Sequence, residues 1–180
     1  MIETAPDRPL RILHVHADED APGGDSRTLT LMDGLAELGH RQTLLAHAGS
    51  PLSDAAGARG LDVQPLTLPA IVRLSRECDL VHAHDCRAHS MAAATARVPL
   101  IATRQSTPRI RRGPGFRWKF RRTAQFIAVS RDVEKLLIDA AIPPERICVV
   151  DGDDEEMVRE TLAVYRHVLE PPPQEASSSS

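Results

Sequence analysis

Seven short apolar runs recur along this chain, at 10–16, 42–48, 62–68, 80–84, 100–103, 126–129 and 147–150. Most are apolar at successive positions rather than alternate ones, so strands made from them have two faces to hide from water. Between the first two runs, Leu31, Leu35 and Leu38 fall on one face of a helix expected over 26–38, and Gly39 follows as a stop signal. Strand, helix and strand in that order form a crossover unit, and repeated crossovers cover both faces of a parallel sheet. The expected fold class is α/β: a single doubly wound, Rossmann-like parallel sheet of about seven strands with helices on both faces.

With 180 residues, 42% of them hydrophobic, the chain can bury a core without help from metal or disulfide. A net charge of -3 gives no global attraction to nucleic acid or to a membrane, so any electrostatic function is local. Cys78, Cys86 and Cys148 are odd in number and lack CxxC spacing, which points to reduced thiols. No run approaches the 18 apolar residues of a spanning helix, and residues 1–11 carry acids and prolines where a leader would be basic and apolar. The expected location is cytoplasmic.

If the strands take the order 3-2-1-4-5-6, the switch point lies between the first and the fourth, and a crevice opens beyond their carboxyl ends. The most polar strand ends fall there. After the first strand, Gly23 and Gly24 precede a helix, where small residues let backbone N–H groups approach an anion. After the fourth come His84 and Asp85. The plainer readings are a simple turn at Gly23–Gly24 and a hydrogen-bonded core histidine at 84. A nicotinamide site is disfavoured, because the loop lacks GxGxxG and the second strand ends at His47–Ala48, without an acid for the ribose. A metal-dependent hydrolase is the rival enzyme class: His14 and His16 share one side of a strand, His82 and His84 share another, and Asp18, Asp20 and Asp85 are near in sequence. Strand residues of a doubly wound sheet mostly point under helices, which favours core histidines and no metal.

Several of these runs together resemble a known family. Arg11-Ile12-Leu13-His14-Val15, the Gly23–Gly24 loop, Glu37-Leu38-Gly39-His40, Asp79-Leu80-Val81-His82-Ala83-His84-Asp85, Pro99-Leu100-Ile101-Ala102-Thr103-Arg104 and Phe126-Ile127-Ala128-Val129-Ser130 are similar, in order, to the N-terminal lobe of retaining GT-B glycosyltransferases of family four. Ile142-Pro143-Pro144-Glu145-Arg146-Ile147 matches what precedes the lobe boundary there, and the resemblance covers roughly 8–152. It implies sugar transfer from a nucleotide sugar, which is a substrate and not a cofactor, with no metal. By resemblance Gly23 and Gly24 face the donor diphosphate, and His84 is the catalytic-site residue beside the transferred sugar. Asp85, Arg104, Ser130 and Arg131 would line the crevice.

In that family the segment after the seventh strand leads into a second lobe that binds most of the nucleotide. Here Asp151-Gly152-Asp153 runs into a helix with Met157, Thr161, Val164, Tyr165 and Val168 on one face, like the helix that packs back on the N-terminal lobe in full-length members. The donor lobe's signature, two glutamates eight positions apart, has no counterpart in this chain. The expected organisation is a lobe over 1–152, a helix over 153–170 that packs back on it, and a serine-rich, disordered tail over 171–180. Without a closed donor cleft the chain alone should be inactive or very weak. The partner is then a separately encoded donor lobe, or a second copy meeting an exposed apolar rim. The alternative is a non-catalytic binding module derived from the same lobe.

From Arg104 to Arg122 there are eight Arg or Lys residues and no acid, and Phe116, Trp118 and Phe120 are three of the chain's five aromatics. Arg109, Arg111, Arg112, Arg117 and Lys119 are the candidates for an anionic or lipid-linked acceptor, with peripheral contact at the inner membrane surface. The alternative is buried aromatics with a solvated cationic rim. Nucleic acid is not expected as a partner, given the acidic balance of the whole chain.

Overall fold

The computed structural model describes residues 8–18, 24–105 and 114–170. Seven strands form one sheet: β1 (Arg11–Val15), β2 (Arg41–Ala46), β3 (Asp62–Pro65), β4 (Leu80–Ala83), β5 (Leu100–Arg104), β6 (Gln125–Ala128) and β7 (Ile147–Val149). Every pairing is parallel, and the spatial order is β3-β2-β1-β4-β5-β6-β7. The helices are α1 (Gly24–Glu37), α2 (Pro51–Ala58), α3 (Leu68–Leu74), α4 (Cys86–Thr95), α5 (Pro114–Arg122), α6 (Arg131–Asp139) and α7 (Asp154–Leu169). The expected doubly wound sheet is the observed one, with its switch point between β1 and β4.

Two expectations need correction. The run at 62–68 does not stay extended: β3 ends at Pro65, and the Thr67 side chain accepts the Ala70 N–H, capping α3. Leu38 is 56% exposed, because α1 stops at Glu37 and Gly39 takes the left-handed φ of +82° that turns the chain toward β2.

The pleat sorts the strand side chains into two cores. Leu13, Val15, Val81, Ala83 and Leu100 pack with Ile71 and Leu74 of α3 and with Ala88 and Ala92 of α4. Ala102, Phe126 and Ala128 continue that face under Phe120 of α5 and Val133 and Leu137 of α6. Ile12, Leu80, Ile101 and Ile127 point the other way and meet Leu31 and Leu35 of α1 and Met157, Val158, Leu162 and Tyr165 of α7. Beside them Leu44 and Ala46 of β2 pack with Leu29 and Met32 of α1 and with Leu52 and Ala56 of α2. His14, His82 and His84 fall on the α1–α7 face, because His14 pairs with His82 and each strand side repeats every second residue.

α7 begins at Asp153, whose side chain accepts the Glu156 N–H at 3.0 Å, and Asp154, Glu155 and Glu156 fill its first turn, where negative charge suits the helix dipole. It buries Met157, Val158, Thr161, Leu162, Val164 and Tyr165. α1 and α7 touch at Gly34, where a Cβ would stand 2.6 Å from Val158 Cγ2 and 3.0 Å from Cγ1. Only a hydrogen fits there. Gly34→Leu is expected to push the two helices apart and cost about 1–3 kcal/mol, the usual range for overpacking; a thermal unfolding midpoint equal to that of the unchanged protein would refute this packing.

Candidate functional site

β1 feeds α1 on one face of the sheet and β4 feeds α4 on the other, so the two neighbouring strand ends send their chains apart and leave a crevice between them. Beneath it lie four histidines. Ring centroids are 4.1 Å apart for His82–His84, 5.1 Å for His14–His84, 5.8 Å for His14–His82 and 6.4 Å for His16–His84. His14, His16, His82 and His84 are all buried.

These rings are tied into the core by hydrogen bonds. His14 Nδ1 is 2.9 Å from His84 Nε2, and His14 Nε2 is 3.0 Å from Gln42 Oε1. The Gln42 amide donates in turn to the Met32 carbonyl at 2.8 Å. His82 lies between the Tyr165 hydroxyl, 2.6 Å from Nδ1, and the Thr103 hydroxyl, 2.7 Å from Nε2. Burial lowers the His14 pKa to about 4, against the Gln42 hydrogen bond, and holds those of His82 and His84 well below 6.5, with repulsion from neighbouring histidines adding to the effect on these last two. Tyr165, fully enclosed, is held well above 10 for the same reason, so it keeps its proton.

The expected site residues divide by role. His84 lines a cavity at the sheet's carboxyl edge together with Arg27, Thr28, Thr103, Gln105 and Thr161, among others. Asp85 caps α4: its Oδ1 accepts the N–H groups of Arg87 and Ala88 at 2.8 Å each, and its Oδ2 accepts Ala17 N–H at 2.6 Å, tying the end of β1 to the start of α4. Ser130 caps α6 by accepting Val133 N–H at 3.3 Å. Arg131 projects into solvent, with its side chain 72% exposed, and pairs with Glu134. Gly24 opens α1, whereas Gly23, Arg109, Arg111 and Arg112 lie outside the described residues.

Arg104 is buried beside α5. Its Nη1 donates to Cys86 Sγ, its guanidinium stands 5.7 Å from the Phe120 ring centroid, and its Nε has no partner. Lys119 donates to Ser90 Oγ at 3.0 Å, and its pKa is lowered by burial and by Arg104. Burial and these same two cations push His89 down. Phe120 is buried, but Trp118 is 49% exposed and Arg117 is exposed beside it, so the basic helix carries a tryptophan on its wet side as well as a packed phenylalanine.

Sequence reasoning missed Gln42, Thr103 and Tyr165 as partners of the histidines, and Arg27, which reaches from the first turn of α1 to the Val150 carbonyl at 2.7 Å. It also missed Thr28, whose buried hydroxyl has no partner. One ring nitrogen from each of His14, His82 and His84 lies within 4.8 Å of the others, a spacing that a divalent ion can use. Both ring nitrogens of His14 and of His82 already hold hydrogen bonds, and among the described residues no carboxylate joins the group. Asp85 accepts backbone N–H groups and stands 4.0 Å from His16 Nδ1, and Asp20 lies outside the described residues.

An open α/β lobe with a polar crevice at its switch point is the class that fold and site define. Residues 23–151 match the family described as Glycosyltransferase Family 4, and the chain belongs to that family. Among solved structures it is similar to Anabaena Alr3699/HepE in complex with UDP and glucose, at 17% identity and a TM-score of 0.68, covering 78% of this chain and 44% of that one. It is also similar to a glycosyltransferase from Rickettsia africae, at 16% identity and a TM-score of 0.66, covering 79% and 42%. Acinetobacter baumannii MurG follows at 11% identity and a TM-score of 0.60, covering 78% and 45%. The chain thus spans less than half the length of these three proteins. A search of curated proteins finds no match.

The neutral histidines make the fold acid-sensitive. In the unfolded chain His14 takes a proton near 6.5, and in the folded one only near 4, so stability is complete above 6.5 and falls as pH drops between those values. That shift alone corresponds to a loss on the order of 3 kcal/mol. Urea midpoints measured at pH 7.5 and pH 4.5 should differ accordingly, with His82 and His84 steepening the fall; equal midpoints would contradict the buried neutral cluster.

Proposed function

We propose that this chain serves sugar transfer from a nucleotide sugar as the acceptor-side half of a retaining glycosyltransferase. The observation that carries the reading is the placement of His84: at the end of β4, next to the end of β1, it lines a cavity together with Arg27 and Thr28 from the first turns of α1. The helix N-terminus supplies N–H groups where a departing diphosphate gains charge, and His84 offers a polar contact to a sugar. Gly23 and Gly24 take the diphosphate side. Arg104 is assigned to the crevice, and Lys119, with Arg109, Arg111, Arg112 and Arg117 from the same basic segment, to the side that receives an anionic or lipid-linked acceptor. No metal is needed for this reaction, since cationic and N–H groups carry the leaving charge. The nucleotide's remaining contacts come from a donor lobe, supplied by a partner or by a larger assembly, and the chain alone turns over slowly or not at all.

No helix among the described residues is long and apolar enough to cross a membrane. An exposed Trp118 beside exposed cations suits the headgroup layer, where an indole ring and positive charge are both favourable. A cytoplasmic protein that visits the inner membrane surface fits this pattern. Vesicles rich in anionic lipid should retain the protein at low salt and release it as salt rises, and reversing charge at Arg111 and Arg112 should abolish retention. Failure to bind at low salt would remove the membrane from the reading.

Calorimetric titration with UDP-, GDP- and ADP-sugars tests the donor side. Saturable binding to one of them, weakened in His84→Ala, is the expected result. If none binds, the second reading gains: a binding module that kept the lobe and lost the chemistry.

A further inference from the structure

We propose that Gln42 and His14 are positioning residues that hold His84 as a single tautomer, protonated at Nε2, so that its Nδ1 lone pair faces the crevice as a hydrogen-bond acceptor. The proposal rests on the reading of His84 as the sugar-side residue only for the identity of the ligand. The direction of the chain follows from groups that cannot change roles.

The Met32 carbonyl can only accept. The Gln42 atom 2.8 Å from it must then be the NH2 group, which turns the amide oxygen toward His14 Nε2 at 3.0 Å. The opposite amide orientation would set two acceptors against each other at 2.8 Å. An oxygen facing Nε2 requires a proton there, and a neutral imidazole protonated at Nε2 has a lone pair at Nδ1. His84 Nε2, 2.9 Å from that lone pair, must therefore carry a proton. Its Nδ1 is left bare, and among the described residues nothing bonds to it. Burial keeps the rings neutral, which preserves this polarity, because an imidazolium donates from both nitrogens.

His84 lines a cavity with Thr28, whose buried hydroxyl has no partner. A site whose fixed element is a lone pair selects for a group that donates, such as a sugar hydroxyl or amine, and against a carboxylate or phosphate at that point. Gln42 contributes without touching the ligand. It lies on β2, the strand on the far side of β1 from His84, and its influence passes entirely through the His14 ring.

The test is nitrogen-15 spectroscopy of the full chain labelled at histidine, at neutral pH, on protein shown to be metal-free by elemental analysis. Long-range proton–nitrogen correlations distinguish a protonated ring nitrogen from a bare one, and His84→Ala assigns the signals. In the unchanged protein His84 should show a protonated Nε2 and a bare Nδ1 in one population. Gln42→Met keeps the volume and removes both hydrogen bonds; there His84 and His14 should shift toward averaged tautomers while His82, held by Tyr165 and Thr103, stays in place. A protonated Nδ1 on His84 in the unchanged protein overturns the proposal, and so does an unaltered His84 pattern in a folded Gln42→Met. If that variant does not fold, the unchanged protein's spectrum still decides the tautomer. Adding a nucleotide sugar found to bind should shift His84 Nδ1 in the sense of an accepted hydrogen bond, and binding that leaves Nδ1 unmoved overturns the acceptor role. Absence of any donor binding counts against the proposed function and not against the tautomer.

Discussion

The hydroxyl of Tyr165 meets His82 at 2.6 Å in the middle of the sheet, and much of the architecture converges on that contact. A parallel sheet of continuously apolar strands is stable only when both faces are covered. α3 to α6 cover one of them. On the other, α1 and α2 lie over β1 and β2, and the face of β4, β5 and β6 would be open to water without α7. Gly34 lets α7 sit directly against α1, and Tyr165 carries the contact down to the strands. The bond therefore joins the last helix of the chain to the polar centre of its fold.

Four histidines in a core are costly unless each polar nitrogen that is denied water finds a partner. This fold meets the condition at both nitrogens of His14 and of His82, and at one of His84, by linking these three in two short chains. One runs from Met32 through Gln42 and His14 to His84, and the other from Tyr165 through His82 to Thr103. The chains come within ring contact of each other at His82 and His84, yet among the described residues no hydrogen bond joins them. His82 is thus satisfied on both sides, and His84 on one.

Much of this was legible in the sequence, for a definite reason. Continuous apolar strands and a glycine stop at Gly39 report the backbone, and the backbone fixes strand order and the place of the crevice. His84 was legible because it follows an apolar strand at that place. Gln42 was not: it sits in a run whose only signal is apolar, and its role depends on a neighbour reached through β1. Asp85 looked like a crevice ligand, yet its spacing to Arg87 and Ala88 also spells a helix cap, and the cap is what its geometry uses. α3 was hidden because Thr67 reads as a strand residue until it is seen to cap.

All seven strands run the same way, and α4, α6 and α7 each start within five residues of a strand's end, while α1 is the first helix after β1. Their amino ends consequently gather along one edge of the lobe, each equivalent to about half a positive charge. A molecule with a net charge of -3 thereby acquires a polarised edge whose sign opposes that of the whole. Asp85 and the acids of α7 neutralise parts of it, so the field is sculpted by which helix starts carry carboxylates. The backbone itself thus gives this edge a positive character that no side chain supplies.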